Sequence, residues 1–132
     1  MKKEKILIID DDPDLTKAVK VTLESKNYTV ITASTGAEGM EKINSEKPDL
    51  LILDVMITAM NDGFEIARTL KKDPQLKKMP ILMMTAVKGK VGLDFKAEAG
   101  DPNWLPVEGF LDKPVEPQIL LSEIKRLLPP KS

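Results

Sequence analysis

Short apolar runs alternate along the chain with longer amphipathic stretches. The runs at residues 6–9, 50–53 and 81–84 are apolar throughout, as expected for strands that are covered on both faces. Between the runs lie stretches of about 10–15 residues that carry apolar residues at helical spacing. The pattern contains five such repeats and predicts an α/β domain, with a parallel sheet and helices on both of its faces.

The ends of the predicted elements are marked by capping and helix-breaking residues. Asp12 is a good N-cap and Pro13 suits the first helical position, so a helix follows the first strand and ends near Asn27. The other predicted strands are an outer one at residues 28–32, the sheet centre at 50–53, and those at 81–84 and 110–111. Further helices are expected from Gly36 to before Pro48, from Gly63 to before Asp73-Pro74, and over residues 117–128. Residues 87–107, interrupted by Gly and Pro, predict only a short helix at 93–99.

Length and composition narrow the range of functions. The 132 residues, 42% of them hydrophobic, predict a single domain spanning residues 1–132, with no DNA-binding output module. Because 20 basic residues balance 21 acidic ones without a long block of either sign, neither a nucleic-acid partner nor a membrane anchor is expected. The chain has no Cys and no apolar run near the roughly 18 residues of a membrane span, so a cytoplasmic location is predicted.

Polar residues suited to a phosphate and metal site follow four of the predicted strands. They are Asp10 and Asp11, Asp54, Thr85, and Lys113. In an open parallel sheet the ligand crevice lies outside the carboxyl ends of the strands, so these residues are expected to meet there. Three crowded carboxylates repel one another unless a cation enters. A hard divalent ion is therefore implied; Mg²⁺ fits best, and Mn²⁺ is the alternative.

Four motifs in order, at residues 6–14, 49–54, 83–86 and 110–114, cover nearly the whole chain. Together they resemble the receiver domain of two-component response regulators. The resemblance implies a flavodoxin-like, doubly wound sheet of five parallel strands in the order 2-1-3-4-5. It also implies a stand-alone phosphorylation switch that catalyses its own phosphorylation and dephosphorylation, rather than an enzyme with turnover.

The resemblance also implies how the acidic residues act. Asp54 would be the phosphoacceptor, taking the group from a phosphohistidine of a sensor histidine kinase or phosphotransfer protein. Asp11, Asp54 and the backbone carbonyl of Met56 would bind Mg²⁺ directly, with Asp10 acting mainly through a bound water. The chain contains no His, so any phosphohistidine must belong to the partner.

The remaining roles implied by the resemblance concern the bound phosphoryl group. The Thr85 hydroxyl and the Lys113 ammonium would contact it, and movement of Thr85 would let Phe110 turn inward as a switch. The side chains of Met56 and Val87 would flank the approach of the hydrolytic water. Neither can orient a water strongly, so slow hydrolysis is expected.

Two other functions stay open at this stage. One is a receiver-like interaction module that is not phosphorylated, although the intact set of site residues argues against it. The other is a haloacid-dehalogenase-like phosphatase using Asp10 and Asp12, although Asp11 would then be idle and the chain lacks the length for a cap. The loop after Asp54 carries Thr58 where receivers usually have Pro. A monomer or weak dimer is expected, and the downstream target is not predicted.

Overall fold

The computed structural model describes residues 4–54, 62–85, 108–112 and 116–128. Its strands are β1 Lys5–Ile9, β2 Thr29–Ala33, β3 Leu50–Asp54, β4 Ile81–Thr85 and β5 Gly109–Asp112. The helices of the described ranges are α1 Pro13–Glu24, α2 Gly36–Glu46, α3 Asp62–Lys72 and α4 Pro117–Leu127. Every strand pairs in parallel with its neighbours, in the order β2-β1-β3-β4-β5. The predicted sheet and its strand order are confirmed.

The hydrophobic core is divided between the two faces of the sheet. Leu7 and Ile9 belong to a core that contains residues of α2 and α3, while Ile6 and Ile8 belong to one that contains residues of α1 and α4. All four side chains are completely buried. Coverage of both faces explains why the strand has no polar alternation. In the described ranges, no helix has the length and apolar composition needed to cross a bilayer.

Helix α1 begins as predicted but ends earlier. One Asp12 carboxylate oxygen accepts hydrogen bonds from the backbone N–H groups of Asp14, at 3.0 Å, and Leu15, at 3.2 Å, so Asp12 is the N-cap. The helix ends at Glu24, although the sequence analysis placed its end near Asn27. Asn27 has a φ of 70°, a left-handed conformation that cannot continue a right-handed helix.

Strand ends differ from the prediction by about one residue. The outer strand runs from Thr29 to Ala33 rather than over residues 28–32, because its pairing with β1 begins at Lys5 opposite Thr29. Asp54 and Thr85 are the last residues of β3 and β4, so both belong to the strands that they were expected to follow. The predicted helix at 93–99 lies outside the described residues.

The start of β5 is held by the side chain and backbone of Glu108. The Lys71 ammonium of α3 lies 2.8 Å from one Glu108 carboxylate oxygen, and the Ile81 backbone N–H donates to the other at 2.8 Å. Arg126 of α4 donates to the Glu108 backbone carbonyl at 3.0 Å. These contacts fix β5 against β4, with its carboxyl end directed toward the acidic edge of the sheet.

Helix α2 approaches β1 at a glycine. A Cβ added to Gly39 would lie 2.3 Å from Ile9 Cδ1 and 2.7 Å from Ile9 Cγ1. Ile9 is fully buried and immediately precedes Asp10. The absence of a side chain at Gly39 therefore lets α2 pack closely on the strand that leads into the acidic residues.

We expect Gly39→Ala to destabilise the fold by about 1–2 kcal/mol in urea denaturation. Overpacking of a buried contact costs about 1–3 kcal/mol, and the better helix propensity of alanine recovers up to about 1 kcal/mol. The matched control is Gly36→Ala in the same helix, where the added Cβ would meet only the Ile66 side chain, at 3.0 Å. If Gly39→Ala were as stable as Gly36→Ala, the close packing of α2 on β1 would not be the reason for glycine at position 39.

Candidate metal centre

Three aspartates meet at the carboxyl edge of the sheet. Asp10 and Asp11 follow β1, and Asp54 ends the neighbouring strand β3, which pairs with β1 through Ile9 and Leu53. One carboxylate oxygen from each aspartate lies within 4.8 Å of the other two. Asp10 and Asp54 are only 2% and 5% exposed, whereas Asp11 is open to solvent. The structure thus brings together the acidic residues that the sequence predicted to meet.

The Asp10 carboxylate is oriented by the turn that follows β1. Its Oδ1 accepts a hydrogen bond from the backbone N–H of Asp12 at 2.9 Å. The Asp10 backbone N–H donates to the carbonyl of Ala33, at the end of β2, at 3.0 Å. Asp12 was predicted only as a helix cap, so this second contribution was missed. An Asp side chain in a turn often accepts a hydrogen bond from the backbone N–H two residues later, and Asp10 at the end of a predicted strand could have indicated this contact.

The ligand set fits a hard divalent cation. All three candidate ligands are carboxylates, and the chain contains no Cys or His that would favour a softer metal. Mg²⁺ is usually held by one or two carboxylates and keeps several of its waters, which the solvent-exposed side of Asp11 can accommodate. Without a cation, like charges confined to this distance repel one another in surroundings less polar than water.

The other predicted site residues are described only in part. Thr85 ends β4 next to this edge and pairs with Asp112, and Phe110 lies in β5 opposite Met83. The structure describes the backbone of Thr85 and Phe110 but not their side chains. It does not describe Met56, Val87 or Lys113. Their roles stay predictions.

The sequence matches the family described as the response regulator receiver domain over residues 6–125. The chain belongs to this family. Receiver domains are phosphoacceptor switches of two-component systems. The resemblance on which the sequence analysis relied is therefore confirmed over most of the length of this receiver domain.

Several characterised proteins are similar to this receiver domain. It is 34% identical over 125 residues to the alkaline phosphatase synthesis transcriptional regulatory protein PhoP of Bacillus subtilis, a match that covers 95% of the chain and 48% of PhoP. Protein PilH of Pseudomonas aeruginosa is 30% identical over 127 residues, covering 94% of the chain and 97% of PilH. The chain spans about half the length of several curated relatives that it matches.

The fold is also similar to that of solved structures. The chemotaxis response regulator CheY4 of Vibrio cholerae superposes with a TM-score of 0.82 at 31% identity, covering 96% of this chain and all of CheY4. A receiver domain protein from Methanospirillum hungatei gives a TM-score of 0.78 at 30% identity, covering 95% of this chain and 93% of that one. The flavodoxin-like architecture that the resemblance implied is confirmed.

Proposed function

We propose that this receiver domain is a phosphorylation switch in which Asp54 accepts the phosphoryl group. The donor is a phosphohistidine of a sensor histidine kinase or phosphotransfer protein, and Mg²⁺ is held by Asp10, Asp11 and Asp54. One observation carries the proposal: the carboxylates that follow β1 and the one that ends β3 come within 4.8 Å of one another at the carboxyl edge of a receiver-family sheet.

The proposed reaction forms one bond and breaks one bond at phosphorus. A carboxylate oxygen of Asp54 bonds to phosphorus while the phosphorus–nitrogen bond breaks, and its electron pair returns to the donor imidazole. When bound, Mg²⁺ supplies positive charge that offsets the charge on the phosphoryl oxygens. Asp54, at the end of a buried strand, is held in place for in-line attack, and the Asp12 N–H keeps Asp10 oriented toward the same site.

The strand order supports a proposal for how phosphorylation changes the structure. Thr85 comes directly after Met84, which pairs with Asp54, so its hydroxyl is proposed to contact the phosphoryl group. Lys113 is proposed to contact another phosphoryl oxygen, and the Met56 carbonyl to complete the Mg²⁺ ligands. Phe110 in the edge strand β5 would then shift between two positions, and phosphorylation would change their populations by the difference in contacts that it makes with each.

The experiment that tests this function uses the whole chain, acetyl phosphate and Mg²⁺, with intact-mass analysis and peptide mapping. We expect one retained phosphoryl group, located on Asp54, and none when Mg²⁺ is chelated. An unmodified protein would instead support a non-phosphorylated interaction module. Release of phosphate without a stable adduct on Asp54 would support a phosphatase of the haloacid-dehalogenase type.

We expect the phosphorylated form to be long-lived. Met56 and Val87 are proposed to flank the line along which water attacks the acyl phosphate, and neither side chain can position a water by strong hydrogen bonds. Replacing Met56 by Asn and Val87 by Glu should speed loss of phosphate about tenfold, equivalent to about 1.4 kcal/mol of barrier. The decay of purified phosphoprotein measures this. Loss within seconds in the wild type, or an unchanged rate in the double variant, would rule out a role for these two side chains in the lifetime of the phosphorylated form.

A further inference from the structure

A cleft of about 570 Å³ opens beside the acidic residues, over the carboxyl end of β2. Asp11 lines it and is shared with the candidate metal centre. Lys17 and Lys20 of α1 also line it, as do Glu38 and Lys42 of α2. The cleft therefore connects two helices on opposite faces of the sheet with the site where phosphorylation is proposed.

The charges of α2 in this cleft are already paired. The Lys42 ammonium donates to the Thr32 carbonyl at 2.5 Å and lies 3.4 Å from a Glu38 carboxylate oxygen. The backbone N–H of Ser34 donates to Glu38 at 2.9 Å. This hydrogen bond, with the Lys42 charge, lowers the pKa of Glu38. Glu38 therefore remains ionised near neutral pH and neutralises Lys42.

In the part of the chain that the structure describes, the positive charges of the two α1 lysines are not neutralised by neighbouring carboxylates in the way that Glu38 neutralises Lys42. Lys17 and Lys20 are three residues apart and share one face of the helix. Among the described residues, neither makes an ion pair. The other carboxylate that lines the cleft, Asp11, belongs to the candidate metal centre. A divalent cation there would offset two of the three carboxylate charges, so Lys17 and Lys20 would leave the cleft and the centre together with a small excess of positive charge.

We propose that Lys17 and Lys20 steer small, multiply charged phosphodonors such as acyl phosphates through this cleft to Asp54. The inference rests on the proposed phosphorylation of Asp54 and assigns two positioning residues for it. In the transfer, an Asp54 oxygen bonds to phosphorus while the bond from phosphorus to the acyl oxygen breaks, and the carboxylate leaves with the electron pair. A positive field of this kind raises the local concentration of an anionic donor, here by about tenfold or less, and it weakens with added salt.

The test compares two donors in Lys17→Gln/Lys20→Gln. Acetyl phosphate is a dianion near neutral pH, whereas phosphoramidate is a zwitterion of lower net charge. We expect the rate of labelling by acetyl phosphate at low salt to fall roughly three- to tenfold, with a difference that shrinks at high salt. Labelling by phosphoramidate should change less than about twofold, because a weaker net charge is steered less.

The matched control is Lys26→Gln/Lys125→Gln, which removes the same charge from lysines that line a separate cavity. It should keep the wild-type rate with both donors. An unchanged acetyl phosphate rate in Lys17→Gln/Lys20→Gln, an equal loss with both donors, or a loss independent of salt would each overturn the steering proposal. Failure of phosphoramidate to label Asp54 in any of the proteins would instead contradict the proposed function itself.

Discussion

Asp54→Ala is expected to abolish phosphoryl incorporation from acetyl phosphate while leaving the fold intact. The proposed acceptor oxygen is removed, and neither of the remaining carboxylates occupies the end of β3. Without added Mg²⁺ the variant should melt at the wild-type temperature or higher, because one of three crowded like charges is gone. Intact-mass analysis and a thermal melt measure the two effects.

Two controls separate loss of the acceptor from damage to the site. Asp54→Asn keeps the shape of the side chain and should also remain unlabelled. Asp14→Asn removes an exposed carboxylate of α1 that lies outside the aspartate cluster, and should be labelled normally. Undiminished labelling of Asp54→Ala would mean that another residue accepts the phosphoryl group.

Mg²⁺ is expected to raise the melting temperature of the wild type, and Asp11→Asn should remove most of that response. A ligand bound only by the folded state at about ten times its Kd adds about 1.4 kcal/mol of stability. For a domain of this size, such a gain corresponds to a rise of about 5 °C. Asp11 is the most accessible of the three carboxylates and the one best placed to keep a hydrated ion.

The measurement is a series of melts at increasing Mg²⁺ concentration, with a monovalent salt series at matched ionic strength. Asp14→Asn is again the control, because it changes the charge of α1 but should retain the Mg²⁺ response. A wild-type melting temperature that does not respond to millimolar Mg²⁺, beyond the effect of salt, would count against the acidic cluster as a metal site.

Much of the sheet could be predicted because its strands are covered on both faces. A continuous apolar run such as residues 50–53, bounded by amphipathic stretches, is typical of a strand that is buried on both sides. The convergence of Asp10, Asp11 and Asp54 followed from a general property of parallel sheets, whose carboxyl ends form one edge. The position of these three aspartates could therefore be predicted without knowing any individual contact.

Other features depend on partners that are distant in sequence. The ion pair between Lys71 and Glu108 joins residues 37 positions apart, and no local pattern indicates it. The requirement for glycine at Gly39 arises from its contact with Ile9, which is known only after α2 is placed on the sheet. The early end of α1 is a local feature instead, because the backbone N–H groups of Lys26 and Asn27 bond to carbonyls three residues earlier, a tighter turn that the sequence permits but does not require.

Because the acidic cluster is divided between the end of β1 and the end of β3, the proposed phosphorylation would depend on the native fold. Asp10 and Asp11 precede the first helix, whereas Asp54 follows the second, so the three meet only after a crossover has closed and the strands have paired. A nascent, unfolded or truncated chain holds the same aspartates but not their juxtaposition. The amount of phosphate that a preparation takes up should therefore measure the fraction of molecules in which β1 and β3 are natively paired. Misfolded molecules would not consume the phosphodonor.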